Sequence, residues 1–452
     1  MSILLQISFI LYLCAWQLMY SLQAQELDTA THNIEQLNFF IHPIAKSLDF
    51  QLLISQYHQP EIILIGDSTH GTHEFYQQRI KLSKNLILKH DFKLIAIEAN
   101  WPDSYILNQY IQSEISYSTL KKVNPFKAYP RWMWRNQESM DFLHWLRAYN
   151  SQLPKAEQTV SLYGIDLYSY YRSINWLIDY FAEFYPDKLN LVRSNYNCLS
   201  QYKDPGDYGV AVNKQANLSC QQAVIEVFNL FVDCKISCIN FTSQYQQQAF
   251  FHAQQQAFIV TNNEKYYRSM YRPESGAESW NIRDRYMFES LLTIREHLHQ
   301  PKTLVFAHSS HLGDARATAA TEYQQLNLGQ LLRQHYKQQL FSIGMLSYTG
   351  ELIASDGWGQ ATIKKQLKPA HKKSIEYLFH QLNSSKFFLV FKQLPEKLRN
   401  WLNKQRMERH VGVVYLAETE FENHYGGTQL VEEFDAILFF DTSSALNWFE
   451  NF

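Results

Sequence analysis

The sequence predicts an α/β protein: a doubly wound, mainly parallel sheet at the core, with a helical insertion and a small α+β segment. Three observations carry this. Short apolar runs recur along the 452 residues, and most are continuous, not alternating, as strands covered on both faces read. Helical patterns such as Glu74–Leu88 and Gln137–Arg147 separate the early runs, and alternation of strand with helix winds a sheet with helices on both sides. Four runs end in a charged or polar residue, where the carboxyl ends of parallel strands open into a ligand-binding crevice.

Taken in order, residues Ile3 to Trp16 are apolar apart from Gln6 and Ser8, and Ser21-Leu22-Gln23-Ala24-Gln25 follows. This reads as a secretory signal over residues 1–24, giving a secreted or periplasmic protein. No Lys or Arg precedes the apolar run, and Leu22 is bulky for its place before the cut. The expected strands are Ile62–Ile65, Leu94–Ile97, Val160–Tyr163, Leu304–Phe306, Phe341–Met345, Val411–Leu416 and Ala436–Phe440. They assign residues 25–169, 276–349 and 406–452 to the α/β core. Residues 170–275 lack strand runs, are rich in Gln and Tyr, and read as the helical insertion. Residues 350–405, with few strand signals and Lys-rich helical stretches, read as the α+β segment.

The insertion holds Cys198, Cys220, Cys234 and Cys238. An even number after a signal fits two disulfides, whose connectivity stays open, with buried free thiols as the alternative. No C-x-x-C occurs to suggest a zinc site. With 46% apolar residues the chain can bury a large core. A net charge of -2 gives no reason to expect nucleic acid or an anionic membrane surface as partner, so the membrane enters only through the signal segment. Only 15 glycines occur, well under the usual share of about 7%, which counts against a Gly-rich phosphate loop. Oligomeric state is not legible.

Gly66-Asp67-Ser68-Thr69-His70-Gly71-Thr72-His73-Glu74-Phe75-Tyr76 places ionisable and hydroxyl groups where the first strand turns into a helix. The later runs end at Glu98, Asp166 and His308, so a parallel sheet gathers Asp67, His70, Glu98, Asp166 and His308 along one edge. Arg79 falls on the apolar stripe of the following helix, with Phe75, Tyr76, Leu82 and Leu86. An inward arginine needs a carboxylate or anion, because an unpaired buried charge is costly. Histidine titrates near working pH and suits a general base. Glu98 is placed to orient His70, and Arg79 or His308 to stabilise a developing oxyanion. Trp132, Trp134 and Tyr168 are candidate walls of an apolar pocket.

Competing motifs fail. His70 stands where a G-x-S-x-G elbow needs glycine, Thr72-His73 replaces the Lys-Ser/Thr of a P-loop, and Gln77 ends any H-E-x-x-H. One rival remains: His70/His73 and His308/His311 both have H-x-x-H spacing beside carboxylates. They keep open a zinc or iron site, and with it a metal-dependent hydrolase.

Six strings resemble the erythromycin esterase family: Gly66 to Phe75, Ile97 to Asp103, Trp132 to Asn136, Tyr163 to Tyr168, Asn281 to Asp284, and Ala307 to Asp314. The resemblance implies a metal-independent hydrolase without cofactor, acting on a small-molecule ester or macrolactone, as in macrolide ring opening and resistance; the same superfamily includes metal- or haem-binding relatives, an alternative that would make the histidine pairs ligands. It puts the water-activating histidine on His70, the second-strand glutamate on Glu98, the first-helix arginine on Arg79, and the later histidines on His308 and His311. Arg283 matches the arginine of the Asn-Arg-Asp string. Asp67 stands where the family usually has glutamate, keeping the carboxylate but withdrawing it by one methylene. The expected catalytic set is His70, Glu98, Arg79, His308 and Asp67, with His311, Arg283, Trp134 and Tyr168 on the substrate.

Overall fold

The computed structural model describes residues 30–44, 60–154, 157–232, 241, 243–272 and 276–452. The expected signal segment 1–24, Cys234 and Cys238 lie outside the described residues. In chain order the strands are β1 (His42–Pro43), β2 (Ile62–Asp67), β3 (Phe92–Asn100), β4 (Ser161–Asp166), β5 (Lys302–His308), β6 (Leu340–Ala354), β7 (Ile363–Leu367), β8 (Lys386–Val390), β9 (Arg406–Arg409), β10 (Tyr425–Thr428) and β11 (Ala436–Ser443). The main sheet runs β1-β8-β11-β6-β2-β5-β3-β4, with β7 paired to β6. Every pair from β11 to β4 is parallel, while β1, β7 and β8 pair antiparallel. The fold is α/β, and β9 and β10 form a separate antiparallel ribbon.

The continuous apolar runs are explained by two covered faces. Successive residues of a strand point to opposite sides. Ile63 and Ile65 pack with Phe75, Leu82 and Leu86 of the helix His73–His90 and with Leu143 and Leu146 of the helix Gln137–Gln152. Ile62 and Leu64 pack on the other face with Met287, Leu291 and Ile294 of the helix Glu278–His297 and with Leu332. Each such side chain contributes roughly 1.5–3 kcal/mol on full burial.

Parallel register carries the strand ends to one edge: Asp67 lies opposite His308, and Asn100 opposite Asp166. Two glycines permit close approaches there. A Cβ on Gly71 would fall 1.9 Å from the Ile353 carbonyl oxygen, and one on Gly164 2.3 Å from that of Ala99. The Gly71 carbonyl accepts the Ile353 and Leu446 N–H groups at 3.0 Å each, pinning the loop after β2. At the end of β3, Asn100 accepts the Asp103 N–H and caps the next helix, with Pro102 in its first turn.

One strand expectation needs correction. Val411–Leu416 is not a strand; it makes only the isolated bridges Thr69↔Val411 and Ser355↔Val414. Its apolar residues cross the carboxyl edge, where Val411 N–H bonds the Ser68 carbonyl at 2.8 Å. Conversely, Lys386–Val390, inside the expected α+β segment, is β8 and sits in the main sheet between β1 and β11. Among the described residues of 170–270 there are five α-helices, Tyr170–Phe184, Leu189–Ser200, Pro205–Lys214, Gln221–Val232 and Gln244–Met270, around a core of their own, and Cys198 bonds Cys220.

Candidate active site

A cavity of about 730 Å³ opens over the carboxyl edge of the sheet. Its floor carries His70, Glu98, Asp166, Arg283, His308 and His311, and its walls are largely aromatic, including Tyr129, Trp134, Tyr168, Trp280 and Trp358.

His70 is buried, and its Nδ1 lies 3.3 Å from Asp67 Oδ1. The other Asp67 oxygen accepts from Arg79 Nη1 at 3.1 Å. The Arg79 guanidinium is packed against the rings of Tyr76, Phe306 and Trp134 at 4.2, 4.9 and 5.5 Å, contacts that favour a cation. Burial opposes charge on His70, but Asp67 and then Glu98 outweigh it and raise its pKa above the ordinary 6.5.

His308, whose ring lies 4.9 Å from that of His70, has the opposite environment. The Ser310 N–H donates to its Nδ1 at 3.2 Å, and the Ser310 hydroxyl lies 2.8 Å from the same atom. The neutral ring therefore carries its proton on Nε2, a buried atom with no hydrogen-bond partner among the described residues. Burial, helped by His70 and His410, pushes its pKa well below 6.5.

Glu98 accepts the His308 backbone N–H at 2.8 Å and Arg283 Nη2 at 2.7 Å. Burial opposes its charge, yet His311 and His70 in their protonated forms, together with Arg283 and that N–H, hold its carboxyl far below the usual range. Arg283 also grips Asp166 through Nε at 3.0 Å and Nη2 at 2.7 Å. Its Nη1 lies 3.0 Å from His311 Nε2. The Tyr168 ring covers the guanidinium at 4.9 Å. His311 in turn meets Asp284 through Nδ1 at 2.9 and 3.0 Å and stacks on Trp280, with ring centroids 4.5 Å apart.

All nine residues named from the sequence lie in or against this assembly, with three differences in placement. The carboxylate touching His70 is Asp67, not Glu98, which Arg283 and the His308 N–H engage. Arg79 does not line the cavity; it stands behind Asp67 among aromatic rings and cannot meet a substrate oxygen directly. Trp134 lines the cavity and donates to the Glu98 carbonyl at 3.1 Å, but Trp132 is core. Asp284 stands in the sequence only as part of the Asn-Arg-Asp string, because its contact with His311 depends on helix phase. His410 gave no signal in sequence. It lines the cavity from the irregular crossing segment, and burial, helped by His424, lowers its pKa to about 4.

Of the two H-x-x-H pairs, only His70 and His308 bring their rings together, 4.9 Å apart. His73 turns to Glu138, and both His311 nitrogens are engaged. Among the described residues no group of three or more His, Cys, Asp or Glu side chains is arranged to hold a metal ion. No helix among them is long and apolar enough to cross a membrane.

The sequence matches the erythromycin esterase family over residues 87–443. It is 22% identical to erythromycin esterase type II of Escherichia coli over 413 residues, 87% of this chain and 94% of that one. The crystal structure of a Bacillus cereus protein superposes with a TM-score of 0.77 at 20% identity, covering 93% of this chain and 99% of that one. An erythromycin esterase mutant in its open conformation superposes with a TM-score of 0.65 at 16% identity, covering 88% and 95%. The chain belongs to the erythromycin esterase family, a family of hydrolases.

Proposed function

We propose that the protein hydrolyses the ester bond of a bulky, largely apolar molecule, a macrolactone or open ester, with protein side chains and water. His70 takes a proton from water as the new C–O bond forms at the carbonyl carbon. The carbonyl oxygen becomes an oxyanion, and the neutral His308, a donor through Nε2–H, is suited to stabilise it. Arg283 commits four of its five N–H groups within the protein, leaving one for the substrate. The C–O bond to the leaving oxygen then breaks, and the His70 proton passes to that oxygen. The products are a carboxylic acid and an alcohol, joined in one chain if the substrate is a ring.

Asp67 orients His70 and favours its charged form, and Arg79 positions Asp67 from behind. Glu98 adds negative charge near the imidazolium and anchors Arg283. The observation that carries the reading is the Asp67–His70 pair at the floor of an aromatic-walled cavity of about 730 Å³, a size within the usual range for ligand pockets. Macrolide ring opening is the first specific activity to test, in view of the type II relative.

The test is incubation with macrolides, simple lactones and open esters, followed by mass spectrometry for the gain of one water, with and without chelator. Turnover of at least one class that resists chelator and disappears in His70→Gln is expected. Turnover abolished by chelator, or undiminished in His70→Gln, would overturn the mechanism.

A further inference from the structure

Asp284 is wholly buried, and both its oxygens face the same ring nitrogen, His311 Nδ1, at 2.9 and 3.0 Å. One of them also accepts the Leu328 N–H at 2.8 Å, at the start of the helix Leu328–Tyr336. An asparagine would serve that backbone bond equally well. The contact with Nδ1 is where a carboxylate differs, because a carboxylate only accepts. It therefore fixes the proton of His311 on Nδ1 and leaves a lone pair on Nε2.

That lone pair meets a group that only donates. Arg283 Nη1 lies 3.0 Å from His311 Nε2, and guanidinium has no acceptor. The chain of roles is thus determined from one end: Asp284 accepts, His311 donates through Nδ1 and accepts at Nε2, and Arg283 donates. Glu98 Oε1, 2.7 Å from Arg283 Nη2, is also only 3.5 Å from His311 Nε2. With its proton on Nε2, His311 would present N–H to N–H against Arg283 and compete with it for Glu98. Trp280 and Asp284, four positions apart on one helix, hold the ring between a stacked indole and the carboxylate.

We propose that Asp284 is a positioning residue for the hydrolytic site: by fixing the Nδ1–H form of His311 it makes His311 the acceptor that holds Arg283 against Glu98. This rests on the hydrolase reading above for its kinetic consequence, but not for its tautomer. Asp284→Asn is the informative substitution. The amide keeps the Leu328 bond through its oxygen and turns its NH2 toward Nδ1, forcing the proton to Nε2. Misplaced tautomers of this kind are costly to catalysis.

The test uses the full chain labelled with ¹⁵N-histidine. In the unsubstituted protein His311 is expected as Nδ1–H, and in Asp284→Asn as Nε2–H. With an active ester, Asp284→Asn should lower kcat/KM by about 10²-fold, and Asp284→Glu should recover part of that loss. In a His311→Gln background, Asp284→Asn should cost little more, since Asp284 acts through His311. An Nε2–H signal for His311 in the unsubstituted protein overturns the proposal without any substrate, whether or not the variants fold. Full additivity of the two substitutions also overturns it, leaving the His70 mechanism intact. A protein with no esterase activity but with Nδ1–H on His311 would sink the hydrolytic role alone.

Discussion

His70 and His308 are equally buried imidazoles with rings 4.9 Å apart, yet their surroundings drive them in opposite directions. His70 faces a carboxylate and is drawn toward the charged form. His308 faces a hydroxyl and a backbone N–H, neither of which compensates charge, and is held neutral. Burial alone would depress both. Asp67 and Glu98 reverse that for His70, whereas neighbouring His70 and His410 depress His308 further, and on the proposed mechanism this difference separates a proton shuttle from a hydrogen-bond donor.

Removing the proton-shuttling member is the severest way to break the contrast. His70→Gln should lower kcat by about 10²–10⁴-fold, the usual range for a general base, with thermal unfolding little changed. Steady-state kinetics and a melting curve check both halves.

The next effect comes from behind the pair. Arg79→Met leaves Asp67 buried without its cation, and loss of one partner from a buried ion pair costs about 3–5 kcal/mol. Denaturant unfolding should register that loss. Asp67→Glu should instead cost only about 1–3 kcal/mol, the strain of one added methylene in a packed site, because the carboxylate still meets Arg79 and His70.

Acid sharpens the contrast in a third way. A histidine whose folded pKa is raised, as for His70, adds stability below 6.5 that is lost as pH climbs through the raised value. A histidine whose folded pKa is lowered acts in reverse: the unfolded chain takes the proton first, so stability falls as pH drops from 6.5 toward the folded value. For His410, lowered to about 4, that loss accumulates between pH 6.5 and 4 and amounts to at most about 3 kcal/mol. His410→Gln should therefore flatten the stability curve over that interval, as read by denaturant titrations at several pH values. An equally steep curve would remove His410 from the account.

The smallest effect concerns the wall. Tyr168→Leu removes the ring over Arg283, an interaction of about 0.5–2 kcal/mol. It should shift KM several-fold while changing kcat less.

The convergence of Asp67, Glu98, Asp166 and His308 was legible because continuous apolar runs imply parallel strands, and parallel strands must align their carboxyl ends. The inward face of Arg79 beside Tyr76 was legible from helical spacing, but not its sealing from the cavity, which also depends on the rings of Trp134 and Phe306 brought from elsewhere in the chain. The partner of His70 was misread because Asp67 and Glu98 both end strands, and only register and the pull of Arg283 on Glu98 separate them. β8 escaped notice because an isolated apolar run in a Lys-rich stretch carries no signal of its pairing. His410 was illegible for the same reason Val411–Leu416 looked like a strand: an apolar segment crossing a sheet edge and one laddered within it share a composition.

The most direct test is a ¹⁵N-histidine titration by NMR, with His70→Gln and His308→Gln used to assign the two rings. The account predicts that His70 titrates above 6.5, while His308 keeps its proton on Nε2 and remains neutral well below that pH. A His308 that charges with an ordinary pKa, or a His70 that titrates below 6.5, would contradict it.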